Sequence, residues 1–221
     1  MALAVVTLAA GKGSRMKSDL PKVLHSLAGR PMLAHVLETA QQLPEAQQHV
    51  VVGHGAELVR QQFQHSDIIW SEQTEQLGTG HAVAQAMPAI ADNATVLVLY
   101  GDVPLLQRDT LEQLLQHTQQ QTLALLTIEL PDPSGYGRIV RDQQGHVQAI
   151  VEHKDASAEQ MQISEVHTGI LAVNAEQLQL WLPRLTAANA NVESDLTDIV
   201  ARADAAGIAL YRLLANTSDE V

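Results

Sequence analysis

The apolar run from Leu3 to Ala10 ends abruptly in Gly11-Lys12-Gly13-Ser14-Arg15. A run that short, closed by turn residues, reads as a buried strand that delivers the chain into a glycine loop. A strand buried on both faces needs helices on both sides of its sheet, and the rest of the chain supplies them in alternation. Pro31 to Leu43 has helical spacing, with Met32, Leu33, Val36, Leu37 and Ala40 on one face. His49–Val52 reads as a strand, 56–64 as a helix, 68–70 as a short strand, 80–87 as a helix limited by Pro88, and Thr95–Tyr100 as a central strand. Asp109-Thr-Leu-Glu112 has capping-box spacing and opens a helix through Gln116. A strand at 122–129 follows.

The rhythm then changes. Residues 131–137 are rich in turn formers, and 138–141 with 146–151 alternate around Gln143-Gln144-Gly145, which predicts a hairpin. A strand at 169–173, a helix from about Ala175, a helix over 196–205 and a last strand at 208–213 complete the pattern. The expected fold is α/β and Rossmann-like: a mixed, mainly parallel sheet with helices on both faces and a small β-hairpin subregion. No repeat or long linker divides the 221 residues, so a single domain is expected.

Several function classes are disfavoured. The chain has no cysteine, which removes disulfides and thiol chemistry and fits a reducing compartment. No stretch approaches the roughly 18 apolar residues of a membrane span, and the N-terminus lacks the basic start of a signal peptide. A cytoplasmic protein without a membrane partner is expected. The formal charge of -12 speaks against nucleic acid as a partner, because a phosphate backbone needs a broad basic face. On this acidic chain, Lys12, Arg15, Lys17 and Lys22 nevertheless crowd around the first glycine loop, with only Asp19 against them.

A basic glycine loop after a first strand suits a polyphosphate: glycines let the backbone approach, and loop amides and a helix N-terminus bind anions. It is neither the dinucleotide fingerprint, since Met16 occupies the third glycine position, nor a P-loop. A tight turn with solvated charges is the plainer alternative, and Arg15 and Lys22 weigh against it. At the end of the central strand stands Tyr100-Gly101-Asp102. A carboxylate there suits magnesium, which takes one or two carboxylates plus substrate phosphates, although Gly-Asp is also a common turn pair. Gly78-Thr79-Gly80 precedes a helix and either receives a ligand or provides Thr79 as an N-cap. The ten histidines show no zinc spacing, and His25, His35, His49, His54, His65, His117 and His146 are expected at the surface or in loops.

Together these segments resemble the sugar-1-phosphate nucleotidyltransferases, and among them the uridyltransferase domain of the bifunctional N-acetylglucosamine-1-phosphate uridyltransferase/glucosamine-1-phosphate acetyltransferase family. The likeness is carried by 8–16, 20–25, 76–82, 100–105, 135–138, 150–155, 167–169 and 196–199, in family order. It implies uridylyl transfer from UTP to N-acetylglucosamine 1-phosphate with Mg2+. Leu8, Ala10, Gly11, Gly13, Gln73, Gly78 and Thr79 would bind the nucleotide, Arg15 and Lys22 would be catalytic, and Asp102 would hold the metal. Tyr100, Gly137, Glu152, His167 and Thr197 would bind the sugar. Other sugar or base specificity, or a catalytically impaired nucleotide-binding paralogue or fragment, are the alternatives. They arise because His167 stands where the family has asparagine, and Val192-Glu-Ser-Asp195 replaces a run containing glycine and an aromatic. The likeness also implies that the chain stops short of the family's second metal-contacting asparagine and of its left-handed β-helix domain. The full-length family trimerises largely through that domain, so this chain alone is expected as a monomer.

Overall fold

The computed structural model describes residues 2–13, 16–118, 122–185, 194–215 and 217–220. In chain order the elements are β1 (Leu3–Ala9), β2 (Ser26–Leu27), β3 (Arg30–Pro31), α1 (Met32–Gln41), β4 (Ala46–Val52), α2 (Ala56–Gln62), β5 (Ile69–Glu72), α3 (Thr79–Ala86) and β6 (Thr95–Tyr100). There follow α4 (Arg108–Gln116), β7 (Leu123–Glu129), β8 (Arg138–Arg141), β9 (Val147–Val151), β10 (Glu165–Asn174), α5 (Ala175–Trp181), α6 (Ile199–Ala205) and β11 (Leu210–Leu214).

Among the described residues nine strands form one sheet, whose main path runs β11-β7-β10-β6-β1-β4-β5. β6, β1, β4 and β5 are mutually parallel, β11 is parallel to β7, and β10 runs antiparallel to both β6 and β7. All seven residues of β1 are buried, as a strand covered on both faces requires. Its alternation sorts the core: Val6 and Leu8 pack with α3, α5 and α6, whereas Val5 faces the layer that holds α1 and α4. Val50 and Val52 of β4 join α1 and α2 on that second side. The expected mixed, mainly parallel sheet with helices on both faces is therefore the observed one. The strand order reverses between β1 and β6, and ligands of open α/β sheets bind beyond the carboxyl ends of the strands at such a switch point.

The β8–β9 hairpin forms as expected and joins the sheet through the pairing of Val166 with Arg138. β10 is longer than the alternation at 169–173 predicts, because a register shift between His167 and Leu171 interrupts the pattern that would have revealed it. Three local expectations are corrected. The capping box at Asp109–Glu112 does not form: Gln107 is the cap residue, and the Glu112 carboxylate accepts from Arg108 Nε at 2.8 Å instead of reaching back to the cap. Thr79 is not an N-cap either, since Gly78 holds that place. His49 is not a surface residue. It lies in β4 with no exposure, and burial lowers its pKa. The small β2–β3 hairpin had no legible signal, as neither strand exceeds two residues.

Candidate active site

The loop after β1 and the end of β6 lie side by side, because Gly101 N donates to Leu8 O at 2.9 Å. Between them opens a cavity of about 270 Å³ lined by Leu8, Ala10, Gly11, Gly13, Lys22, Gln73, Gly78, Thr79, Tyr100 and Asp102. All seven residues expected at the nucleotide, with Lys22 and Asp102, thus face one space. Arg15 lies outside the described residues. Lys22 Nζ stands 2.6 Å from Asp102 Oδ2, with both side chains partly exposed. Asp102 therefore already faces a cation, and a single carboxylate beside a phosphate-sized cavity is a donor set that fits Mg2+. Among the described residues no group of three or more acidic or histidine side chains could hold a metal alone, so substrate oxygens would have to complete the coordination.

Gln73 is buried at the cavity wall. Its Nε2 donates to Gly78 O at 3.0 Å and lies 3.1 Å from His81 Nδ1. Both amide hydrogens are then committed, and the group Gln73 can present to a ligand is its Oε1 acceptor.

The 78–80 loop is held by a strap from far along the chain. Gly80 N donates to Ser194 O, and Ser194 N donates to Leu77 O, both at 2.8 Å. Leu196 N donates to Thr79 Oγ1 at 2.9 Å. Gly78 has φ +103, and a Cβ there would stand 2.5 Å from Ser194 O. The glycine is needed for the strap to approach, which the sequence pattern did not reveal.

A second cavity of about 560 Å³ adjoins the first and contains every residue expected at the sugar: Tyr100, Gly137, Glu152, His167 and Thr197. Thr79, Tyr100 and Asp195 line both. Tyr100 is seated by Gly169, whose φ is +92 and where a Cβ would come within 2.5 Å of the Tyr100 ring. Burial raises the Tyr100 pKa well above the ordinary phenol value, so the residue stays neutral, and its side chain is hydrogen-bonded to Thr79. Burial, and then the charge of Asp195, also raise Glu152 above the usual carboxylate range, while Thr197 Oγ1 donates to it at 3.3 Å. His167 is 6% exposed, and burial lowers its pKa to about 4. Residues that the motif reading passed over also line these walls: Gln76 at the first cavity, and His153 and Lys154 at the second. Their signal was present, since each lies inside a segment that carried the resemblance.

A cavity at the switch point of the β5-β4-β1-β6 strand order, walled by a glycine loop and a Lys22–Asp102 pair, is the arrangement of an α/β nucleotidyltransferase. Residues 5–178 match the MobA-like NTP transferase domain, and the chain belongs to that family. It is similar to the bifunctional protein GlmU of Marinobacter nauticus, with 61% identity over 201 residues covering 91% of this chain and 44% of that protein. To the proteins of the same name from Cellvibrio japonicus and Pseudomonas aeruginosa it is 56% identical, covering 46% of each. The chain thus spans about half the length of these curated relatives. Among solved structures, a UDP-glucose pyrophosphorylase complexed with UDP-glucose superposes with a TM-score of 0.75 at 18% identity, over 96% of this chain and 90% of that one. A nucleotidyl transferase from Methanothermobacter gives 0.66 at 19%, over 98% and 88%. At such identities the likeness speaks for the fold, which is the Rossmann-like one expected. No described helix is long and apolar enough to cross a membrane.

Proposed function

We propose that the chain transfers the uridylyl group of UTP to N-acetylglucosamine 1-phosphate, giving UDP-N-acetylglucosamine and pyrophosphate for cell-wall and lipopolysaccharide precursors in the cytoplasm. The observation that carries the reading is the pair of adjoining cavities, one with the Lys22–Asp102 pair and the other with Glu152 and Thr197, which share Thr79 and Tyr100. The similarity to the bifunctional GlmU proteins supports it.

In this reading the backbone of Leu8, Ala10, Gly11 and Gly13 lies along the nucleotide, with Gly78 and Thr79 opposite. Gln73 Oε1 accepts from the N3–H of uracil, a position where cytosine offers no donor. Asp102 would hold Mg2+, which when bound supplies charge neutralisation at the triphosphate oxygens. Lys22 is held at the cavity by Asp102 and turns to the phosphates when nucleotide enters, with Arg15 as its companion. The sugar phosphate oxygen attacks the α-phosphorus in line, and pyrophosphate leaves. A phosphate monoester is a competent nucleophile near neutral pH, so the chain's work is positioning and charge compensation and requires no general base. Tyr100, Gly137, Glu152, His167 and Thr197 orient the sugar.

The test is pyrophosphate release with UTP, N-acetylglucosamine 1-phosphate and Mg2+. Turnover is expected, and absence of turnover while UTP still binds overturns the reading.

A further inference from the structure

Gln73 enters the first cavity from a backbone that is pinned at both of its polar atoms. Gln73 N donates to Val52 O at 2.8 Å, and Gln76 Nε2 donates to Gln73 O at 3.2 Å. The residue is 4% exposed, so the freedom left to its side chain is chiefly the half-turn of the terminal amide. The two outcomes of that half-turn offer a base opposite things: Oε1 is an acceptor and Nε2 a donor.

Two neighbours set which one is shown. Gly78 O can only accept, so the amide atom 3.0 Å from it is the nitrogen. The second amide hydrogen goes to His81 Nδ1, 3.1 Å away. An amide nitrogen does not accept, so His81 Nδ1 must be bare, with the ring proton on Nε2. His81 does not itself line the first cavity; it lines a separate one with Met87 and Pro88. It stands in the first turn of α3, directly after Gly80, which the strap holds through Ser194 O. Gln85 Nε2 donates to the His81 carbonyl at 3.2 Å. The ring is thus placed by the helix and the strap, and Gln73 is placed by the ring.

We infer that His81 is a positioning residue for base recognition: by accepting the second amide hydrogen of Gln73 it keeps Oε1 turned to the nucleobase and so sets the preference for UTP over CTP. The inference rests on the placement of UTP proposed above. Without that acceptor a buried N–H has no partner, and leaving it so costs more than a hydrogen bond returns. The amide then turns to find one. Nε2 facing the cavity suits the bare N3 of cytosine and opposes the N3–H of uracil. His81 discriminates between bases that it does not touch.

The experiment titrates UTP and CTP, each with Mg2+, by calorimetry into the parent and its variants. The parent is expected to bind UTP at least about tenfold tighter than CTP. His81→Phe keeps a ring in place without the acceptor and should cut that ratio about tenfold, whereas His81→Asn, whose Oδ1 can stand near the place of Nδ1, should keep it within about threefold. In the Gln73→Ala background, His81→Phe should leave the ratio unchanged, because its effect runs through the amide. Equal binding of the two nucleotides by the parent, a ratio that His81→Phe does not move, an equal loss in His81→Asn, or a further change in the Gln73→Ala background overturns the inference. Nitrogen NMR of the unaltered protein reads the tautomer directly: a proton on His81 Nε2 is expected, and one on Nδ1 overturns the inference. Pyrophosphate release with N-acetylglucosamine 1-phosphate separates the two readings. No turnover with His81-dependent base selectivity removes the transferase reading and supports this one; turnover with a ratio indifferent to His81 does the reverse.

Discussion

Gly78→Ala is expected to destabilise the fold by about 3 kcal/mol, and two routes lead to that figure. Gly78 sits at φ 103 and ψ 174, a region reserved in practice for glycine, where another residue costs about 1–3 kcal/mol. The added Cβ would also stand 2.5 Å from Ser194 O and 2.7 Å from Ser194 N, backbone atoms that cannot rotate away. If the strap holds, the alanine is jammed against it. If the strap moves, three hydrogen bonds go: Gly80 to Ser194, Ser194 to Leu77, and Leu196 to Thr79. Each contributes about 1 kcal/mol net, so release costs about as much as strain. For a chain of this size the thermal midpoint should fall by roughly 6–12 °C. Circular dichroism melts check this, with Gly11→Ala as the comparison. An added Cβ at Gly11 meets no atom within 4 Å, and that residue lines the first cavity, the one proposed for the nucleotide. Its midpoint should stay within about 2 °C of the parent, while its KM for UTP rises. Were Gly78→Ala to melt with the parent, or Gly11→Ala to fall as far as Gly78→Ala, the assignment of these glycines to strap and ligand would be refuted.

Lys22→Ala and Asp102→Ala should each lower kcat more than they weaken UTP binding, because in the proposed reaction both would act on charge that develops during transfer. Equal loss of affinity at unchanged kcat would contradict this. In Asp102→Ala the dependence of rate on Mg2+ concentration should also shift to higher concentration. Stability should fall on acidification through His167. Its pKa is about 4 in the folded chain against 6.5 for the free side chain, so the unfolded state binds more protons between those values. The stabilisation is fully present above about pH 6.5 and is lost towards pH 4, on the order of 3 kcal/mol. His49, lowered by burial, adds a slope of the same sign, so His167→Asn should reduce the slope of urea midpoint against pH without abolishing it. An unchanged slope in that variant would show that His167 titrates freely.

Much of the fold was legible because it rests on local apolar patterning, periodic in helices and continuous in strands covered on both faces. Thr95–Tyr100 reads as a central strand and is one, since its residues pack on both faces and alternation is irrelevant there. The illegible parts depend on contacts distant in sequence. Asp109 and Glu112 have the spacing of a capping box, but the helix begins earlier, with Gln107 as its cap, so the pair is out of place for a box and Glu112 bonds Arg108 instead. His49 gave no sign of burial in composition. It is enclosed because β4 extends back to Ala46 and pairs with β1 along its whole length.

The site shows the same division within a single residue type. Gly11 and Gly78 both follow apolar or polar turn stretches and precede helical ones, so a sequence reading gives both the role of receiving a ligand. One opens onto empty space in the first cavity; the other is filled by backbone from residue 194. The difference lies more than a hundred residues away, in a segment whose approach no local pattern encodes. That strap also ties the two cavities together: Thr79, which it bonds through Leu196, lines both, and Asp195 between the bonded residues faces both. A substitution in the strap therefore acts on the 77–80 loop through three hydrogen bonds. In the proposed reading, a substitution at Ser194 or Asp195 should therefore change UTP affinity as well as sugar affinity, and a change in sugar affinity alone would refute the coupling through the strap.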